Sequence, residues 1–188
     1  ARDASFTTNT FQLSGKLLRN NLNIRLKGEN CKTHLNGFYM LKDRELFDNH
    51  TLVDHLVPHC DSNETYRGIL GGKSTGVFNG KVFVHPDAQK INGYQQNNNI
   101  LLTDDATMNS KPELEIYADD VRCSHGSTTG QLDEDAVFYL RSRGLDGFGA
   151  TALLLTAFAS EVLDTVSSEE LRSSLEQKIQ AKLKEMRA

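Results

Sequence analysis

The sequence predicts a mainly β protein that ends in a small helical segment, and two observations support this. From Ser5 to about Thr129, short runs of alternating apolar and polar residues follow one another, and no helical periodicity lasts more than about one turn. After Gly130 the spacing of apolar residues becomes that of helices. A length of 188 residues suits one substantial domain with a small addition.

The predicted strands are separated by residues that favour turns, including Asn36-Gly37, Asn79-Gly80, Asn92-Gly93 and the polar run 95–99. Asn also recurs at or beside the predicted corners, where its side chain can bond the backbone and tolerate left-handed dihedral angles. These features favour a coil of stacked strands, although sandwiches and barrels share such patterns, Asn can also mark surface loops, and no strict repeat length is visible. The predicted strands cover 23–26, 34–40, 76–78, 81–84, 99–102 and 113–117, and the corner asparagines are Asn20, Asn21, Asn30, Asn49, Asn63, Asn97 and Asn98.

Three helices are predicted after residue 130. Asp133 can cap a first helix that ends at Gly144, a glycine suited to the left-handed position after a helix. The second helix runs from about Gly149 to Thr165, and the third begins with a capping box at 167–170. The third helix has one apolar stripe, whose default role is packing against the second helix. This stripe consists of Leu171, Leu175, Ile179 and Leu183.

Composition excludes several classes of protein. The net charge of −4, without a cluster of Lys and Arg, argues against nucleic-acid binding. The three cysteines are widely spaced and odd in number, which predicts free thiols and a reducing compartment. The longest apolar run, around 152–159, is far shorter than the roughly 20 residues of a membrane span. We therefore expect a soluble, cytoplasmic protein, and the start at Ala1 within strand-like sequence suggests a fragment of a longer one.

The most suggestive residues for chemistry are Cys123 and His125. On a strand, residues two apart project from the same face, so the thiolate and the imidazole could meet one metal ion or one persulfide. Two ligands do not make a metal site, since a structural zinc centre needs four. Any metal would need further ligands from a second chain or from cluster sulfide. The alternative is that Cys123 is simply a small buried hydrophobic residue.

Paired carboxylates suggest an alternative function, a β-helix enzyme that acts on carbohydrate. The candidate pairs are Asp104-Asp105, Asp119-Asp120 and the run 133–135, but Asp is also favoured in turns and helix caps. The run 71–75 resembles a phosphate loop without its upstream glycine, and neither a nucleophile elbow nor a Rossmann fingerprint is present. The sequence therefore offers no catalytic residue, and we expect a protein that is not an enzyme.

The segment from Glu115 to Gly130, which contains Cys-Ser-His-Gly at 123–126, resembles the hallmark segment of the SufD branch of the SufB/SufD family of iron–sulfur cluster scaffolds. The similarity continues through 133–144. Upstream blocks match the family in order, at 19–21, 76–81, 88–90, 96–99 and 111–112. Ordered blocks over nearly the whole chain are far more specific than any single short motif.

This resemblance implies a right-handed parallel β-helix over residues 1–130 and an α-helical domain over 131–188 that docks a SufC-like ATPase. It implies a scaffold subunit of the SufBCD complex, which pairs with a SufB-like paralogue through strands near the end of the β-helix and forms a homodimer in isolation. His125 would lie at the subunit junction, where the nascent iron–sulfur cluster assembles, with Cys123 beside it. His125 is then the candidate metal ligand, and no stably bound cofactor is expected in the isolated chain.

Overall fold

The computed structural model describes residues 1–186, in which nine strands precede three helices. The predicted order, mainly strands and then helices, is confirmed. The strands are β1 (Ser5–Gln12), β2 (Leu17–Leu26), β3 (Lys32–Leu41), β4 (Leu46–His55), β5 (Asp61–Leu70), β6 (Thr75–Val84), β7 (Ile91–Leu101), β8 (Thr107–Ile116) and β9 (Val121–Gly130). The helices are α1 (Glu134–Ser142), α2 (Gly147–Leu163) and α3 (Glu169–Glu185).

The strands form two parallel sheets that share successive coils of the chain. The five-stranded sheet has the order β1-β3-β5-β7-β9, and the four-stranded sheet has the order β2-β4-β6-β8. Each of the first four coils thus contributes one strand to each sheet, and β9 extends the five-stranded sheet alone. The predicted coil of stacked strands is confirmed as a parallel β-helix. Paired residues are separated by different lengths of chain, from Ser5 with Lys32 to Thr75 with Thr107. This variable coil length explains why no repeat is visible in the sequence.

Side chains on the two faces of the five-stranded sheet enter two different cores. Along β3, Leu35, Tyr39 and Leu41 lie in the interior between the sheets, whereas Phe38 and Met40 belong to a second core outside. This alternation is the period of two expected of a strand buried on both faces. The second core is completed by α2 and α3, which therefore cover the outer face of this sheet. Their buried contributions include Leu155, Ala159, Val162, Ile179 and Leu183.

The predicted Asn-Gly turns are wrong, because these dipeptides lie inside β3, β6 and β7. Their glycines make room for large interior neighbours. A Cβ atom at Gly37 would lie 2.2 Å from the ring of Tyr66, and one at Gly80 would lie 2.4 Å from the side-chain nitrogen of Gln95. The polar run 95–99, predicted to separate strands, is likewise part of β7. Stacking between coils overrides the local turn preference of these residues.

Most of the asparagines predicted at corners also lie within strands. Asn30 does occupy a corner, with a left-handed φ of 61°. Asn49 and Asn97 are fully buried in β4 and β7. Their amides replace water contacts with side-chain bonds: Asn49 Nδ2 donates to Gln12 Oε1 at 2.9 Å. The remaining members of this group, Asn20, Asn21, Asn63 and Asn98, lie in β2, β5 and β7.

Local capping chemistry determines where the helices begin. Asp133 caps α1 by accepting from two backbone N–H groups, and Gly144 has the predicted left-handed φ, 99°. Helix α2 begins two residues before the predicted Gly149, because Asp146 accepts from the Gly149 N–H at 2.6 Å. Ser168, within the predicted capping box, caps α3 by accepting from the Leu171 N–H, and Leu171 of the expected stripe is 53% exposed. Within residues 1–186, no helix is long and apolar enough to cross a membrane.

Two basic side chains tie α2 and α3 to the β-helix. Lys182 is buried and donates to Glu45 Oε2 and to the Leu13 carbonyl, each at 2.7 Å. Arg67 of β5 donates to the Phe158 carbonyl at 3.2 Å and pairs with Glu161 of α2. The helices are therefore held by directional bonds as well as by apolar packing.

Candidate functional site

The last coil of the β-helix leaves backbone groups open at one end. Strand β9 is the final strand of the five-stranded sheet and β8 that of the four-stranded sheet. Each therefore pairs with another strand on one side only among the described residues. Most of β9 is exposed, in contrast to β5 and β6 in the middle of the stack. An open strand of this kind can accept a strand from another chain.

Cys123 and His125 lie on β9 with the spacing that places both on one face, as the sequence predicts. Cys123 packs against the interior core, and its Sγ atom would lie 3.1 Å from a Cβ atom at Gly93. Burial raises the pKa of the Cys123 thiol, so the neutral form dominates near neutral pH. His125 is exposed. The structure thus presents an accessible imidazole beside a half-buried, protonated thiol.

An interior column of side chains leads to His125. Strand register places Glu64 beside Gln95 on the next coil, and Gln95 beside His125 on the last. Gln95 Nε2 donates to Glu64 Oε2 at 2.7 Å. Glu64 is only 1% exposed, and burial raises the pKa of its carboxyl to about 7, although bonds from Thr51 and Gln95 oppose this shift. A carboxyl that titrates near neutrality therefore lies two coils from the open end.

The sequence analysis missed Glu64 and Gln95. Their only signal is spacing: Glu64, Gln95 and His125 follow one another at separations close to one coil. That signal has meaning only when the coil length and the strand register are known.

A second polar series connects the interior with β9. Asn97 Nδ2 donates to the Tyr39 hydroxyl at 3.0 Å, and Tyr39 in turn donates to Asn99. Asn97 Oδ1 accepts from Ser110 Oγ at 2.8 Å, and Ser110 accepts from Ser127 of β9 at 2.8 Å. These bonds link three coils and hold the last strand to the coil before it.

The remaining histidines and cysteines have structural surroundings. His55 is buried beside Ser62 Oγ at 2.9 Å, and burial lowers the pKa of its imidazole to about 4. His59 occupies a corner with a φ of 61°, beside buried Cys60, so the two do not form a joint site. All three cysteines are free, as predicted. Within residues 1–186, no three His, Cys, Asp or Glu side chains come together as a metal site.

The acidic pairs occupy the structural positions that the sequence also suggested. Asp133 caps α1, and Asp105 pairs with Lys73 at 3.3 Å. Asp119 and Asp120 lie in the bend between β8 and β9, where the Asp120 N–H donates to Gln89 Oε1 at 2.9 Å. These contacts account for the positions of the carboxylates through turns and caps.

The fold and the last coil together define a class of protein: a parallel β-helix with an open final strand, followed by helices that cover one sheet. Residues 1–158 match the family model described as SUF system FeS cluster assembly, SufBD core domain. The chain therefore belongs to the SufBD core family of iron–sulfur cluster assembly proteins.

Individual relatives agree with the predicted resemblance and confirm it. The chain is 38% identical over 93% of its length to iron–sulfur cluster assembly protein SufD of Escherichia coli, of which it covers 41%. It is 42% identical over 88% of its length to a SufBD family protein of Synechocystis, covering 36% of that protein. It is 37% identical over 84% of its length to protein ABCI7, chloroplastic, of Arabidopsis thaliana, covering 34% of it. The chain thus spans less than half the length of each of these relatives.

Proposed function

We propose that this chain serves as part of a scaffold subunit for iron–sulfur cluster assembly, pairing with a SufB-like paralogue at its last coil and binding a SufC-like ATPase through its helices. Family membership supports the assembly role. The observation that carries the rest is the open strand β9, which exposes His125 at the C-terminal end of the stack.

The junction is proposed at β8 and β9. An unpaired strand edge offers a row of N–H and C=O groups, and a partner strand that pairs with it satisfies those groups without any change of fold. His125 would then face the partner, with the nascent cluster as the substrate held between the subunits. Its imidazole can ligate iron or carry a proton. Cys123 is the weaker candidate ligand, because the thiolate binds metal and burial raises the pKa of its thiol.

The helical segment is the proposed docking site for the ATPase. Helix α1 has no buried residue and exposes Phe138 (73%) and Tyr139 (56%). Helix α2 exposes Leu153 (50%), and α3 exposes Leu171. Phe138 also lines a cleft of about 630 Å³ between α1 and the end of the five-stranded sheet. Large apolar side chains grouped on a small helical unit favour contact with a protein partner.

His125→Ala tests the junction in a complex reconstituted with the SufB-like paralogue and the SufC-like ATPase. We expect cluster formation to fall by about tenfold or more, the typical loss when a metal site is disturbed. His34→Ala is the matched control, because His34 is an exposed histidine on β3 of the same sheet. Undiminished assembly by the His125 variant would remove this residue from the mechanism.

Phe138→Ser tests the docking surface by co-purification. The variant should lose the ATPase but retain the paralogue, because Phe138 lies on α1 whereas the proposed junction lies on β8 and β9. Tyr117→Ser is the control, since Tyr117 is 60% exposed and packs on Phe83 of the four-stranded sheet, which the helices do not cover. Failure of the unchanged chain to bind the ATPase would refute this part of the proposal.

The proposed self-association is tested on the isolated chain by sedimentation. We expect a homodimer that forms through β8 and β9. Lys substitution at Ser127, which is exposed on β9, should shift it towards monomer. A chain that sediments as a monomer at high concentration would contradict homodimer formation.

A further inference from the structure

Gln95 occupies a position between a buried carboxyl and the exposed imidazole of His125. It lies on β7, it is 3% exposed, and its register partners are Glu64 on β5 and His125 on β9. Adjacent strands are about 4.8 Å apart, so side chains on the same face of neighbouring strands are within reach of one another.

The hydrogen bonds of this column are incomplete at one point. The Gln95 amide donates from Nε2 to Glu64, while its Oε1 atom is buried without a hydrogen-bond partner among residues 1–186. The imidazole of His125 also makes no hydrogen bond within that part of the chain, and a neutral imidazole always carries one N–H donor. The register places this N–H donor on the strand next to the free Gln95 Oε1 acceptor. A single bond between them would satisfy both groups.

We propose that Gln95, held in place by Glu64, is a positioning residue that accepts an N–H from His125 and fixes the orientation of its imidazole. The inference rests on the proposed function, in which His125 acts at the junction. It adds a residue that lies inside the β-helix and touches neither partner nor substrate.

The orientation of the Gln95 side-chain amide is determined by Glu64 on the preceding coil. Above its pKa of about 7 the Glu64 carboxylate can only accept, so the NH₂ group of Gln95 then faces Glu64 and its oxygen faces the other way. Gly80 packs against the same amide: a Cβ atom there would lie 2.4 Å from Gln95 Nε2. The amide is therefore confined from the four-stranded sheet as well as from β5.

Orientation matters because the two ring nitrogens of histidine are distinct. When one nitrogen donates its proton to Gln95, the other presents its lone pair away from the interior, towards the open end. That lone pair is the group that binds iron or takes up a proton. Fixing the tautomer in advance resembles the way carboxylates and carbonyls orient histidine ligands in metal sites.

The test is nitrogen NMR of the isolated chain with labelled histidine at about pH 8.5, which is above the pKa of about 7 for Glu64 and about two units above that of a free imidazole. In the unchanged protein the ring nitrogens of His125 should report mainly one tautomer, different from the mixture at exposed His34. Gln95→Met keeps the length of the side chain without the acceptor, and it should give His125 the ratio seen at His34. Gln96→Leu, on the exposed face of the same strand, is the matched control and should change nothing.

A double variant shows whether the effect of Gln95→Met comes from loss of the acceptor or from loss of structure. Glu64→Gln combined with Gln95→Glu exchanges the two groups, retains an acceptor beside His125, and should restore a single tautomer. The proposal is overturned if His125 of the unchanged protein already matches His34, or if Gln95→Met leaves its spectrum unaltered. The NMR result does not depend on the proposed function, because it reports the tautomer of His125 in the isolated chain. The His125→Ala variant, in contrast, is assayed by cluster formation. In the reconstituted complex, if His125→Ala lowers cluster formation, Gln95→Met should slow it several-fold but less, and equal rates for Gln95→Met and the unchanged chain would then overturn the proposal. If His125→Ala has no effect, the proposed function fails and the NMR result alone decides the proposal.

Discussion

Replacing Glu64 with Gln should make the folded chain more stable above neutral pH. Burial raises the pKa of this carboxyl from 4.5 to about 7, so between these values the folded state binds more protons than the unfolded state. Stability contributed by the neutral acid is therefore lost as the pH rises through this window. At pH 8 the cost reaches about 3 kcal/mol, from 1.36 kcal/mol for each unit of pKa difference. Gln carries no charge and keeps an acceptor for Gln95, so Glu64→Gln avoids this cost.

Urea unfolding at about pH 4.5 and about pH 8 measures this difference. The Glu64→Gln variant should exceed the unchanged chain by up to about 3 kcal/mol at the higher pH and by only a few tenths at the lower. Glu176→Gln is the control, because Glu176 is exposed on α3. Other titrating groups are common to the proteins compared and cancel. The same stability difference at both pH values would refute the reasoning.

Three further changes test the interior and the helix attachment. Tyr39→Phe removes the hydroxyl that joins two buried asparagines and should lower the free energy of unfolding by about 1–3 kcal/mol, and an unchanged urea midpoint would contradict the network. Lys182→Met leaves Glu45, whose side chain is 14% exposed, without its charged partner and should lower the free energy of unfolding by about 3 kcal/mol. Adding Glu45→Gln should recover most of this loss, and purely additive losses would contradict the pairing. Gly80→Ala should lower the free energy of unfolding by about 1–3 kcal/mol. Gly126→Ala is the control and should not lower it, because a Cβ atom there meets nothing within 4 Å. Equal melting temperatures for the two variants would exclude the steric argument.

The helices were predictable because their ends are determined by nearby residues. Asp133, Gly144 and Ser168 each act within one turn of their own position, so the printed sequence contains the whole signal. The exposure of Leu171 was not predictable from its stripe. It depends on where α3 meets α2 and the sheet, which helical periodicity does not specify.

The interior of the β-helix was less accessible to sequence reasoning. Asn49 and Asn97 look like loop residues because Asn favours turns, yet each is buried by neighbours about one coil away. Gly80 follows Asn79 as in a hairpin turn, but its role is to leave space for Gln95. In a parallel stack the decisive contacts are distant in sequence. Coils of unequal length conceal those contacts.

The candidate site was predicted in part, for the same reason. Cys123 and His125 lie two residues apart on one strand, and that spacing alone places them on one face. Glu64 and Gln95 join them only through the register of β5, β7 and β9. Their involvement could be inferred only once that register was known.

Register-matched stacking has an evolutionary consequence. Within each column a side chain has its principal neighbours about one coil earlier and one coil later, as Gln95 has in Glu64 and His125. Compensating changes among homologues should therefore be correlated at separations of one coil more strongly than between adjacent positions. Insertions should accumulate at the corners, where the coil already varies in length, and be rare within strands, where one added residue would invert every side chain that follows.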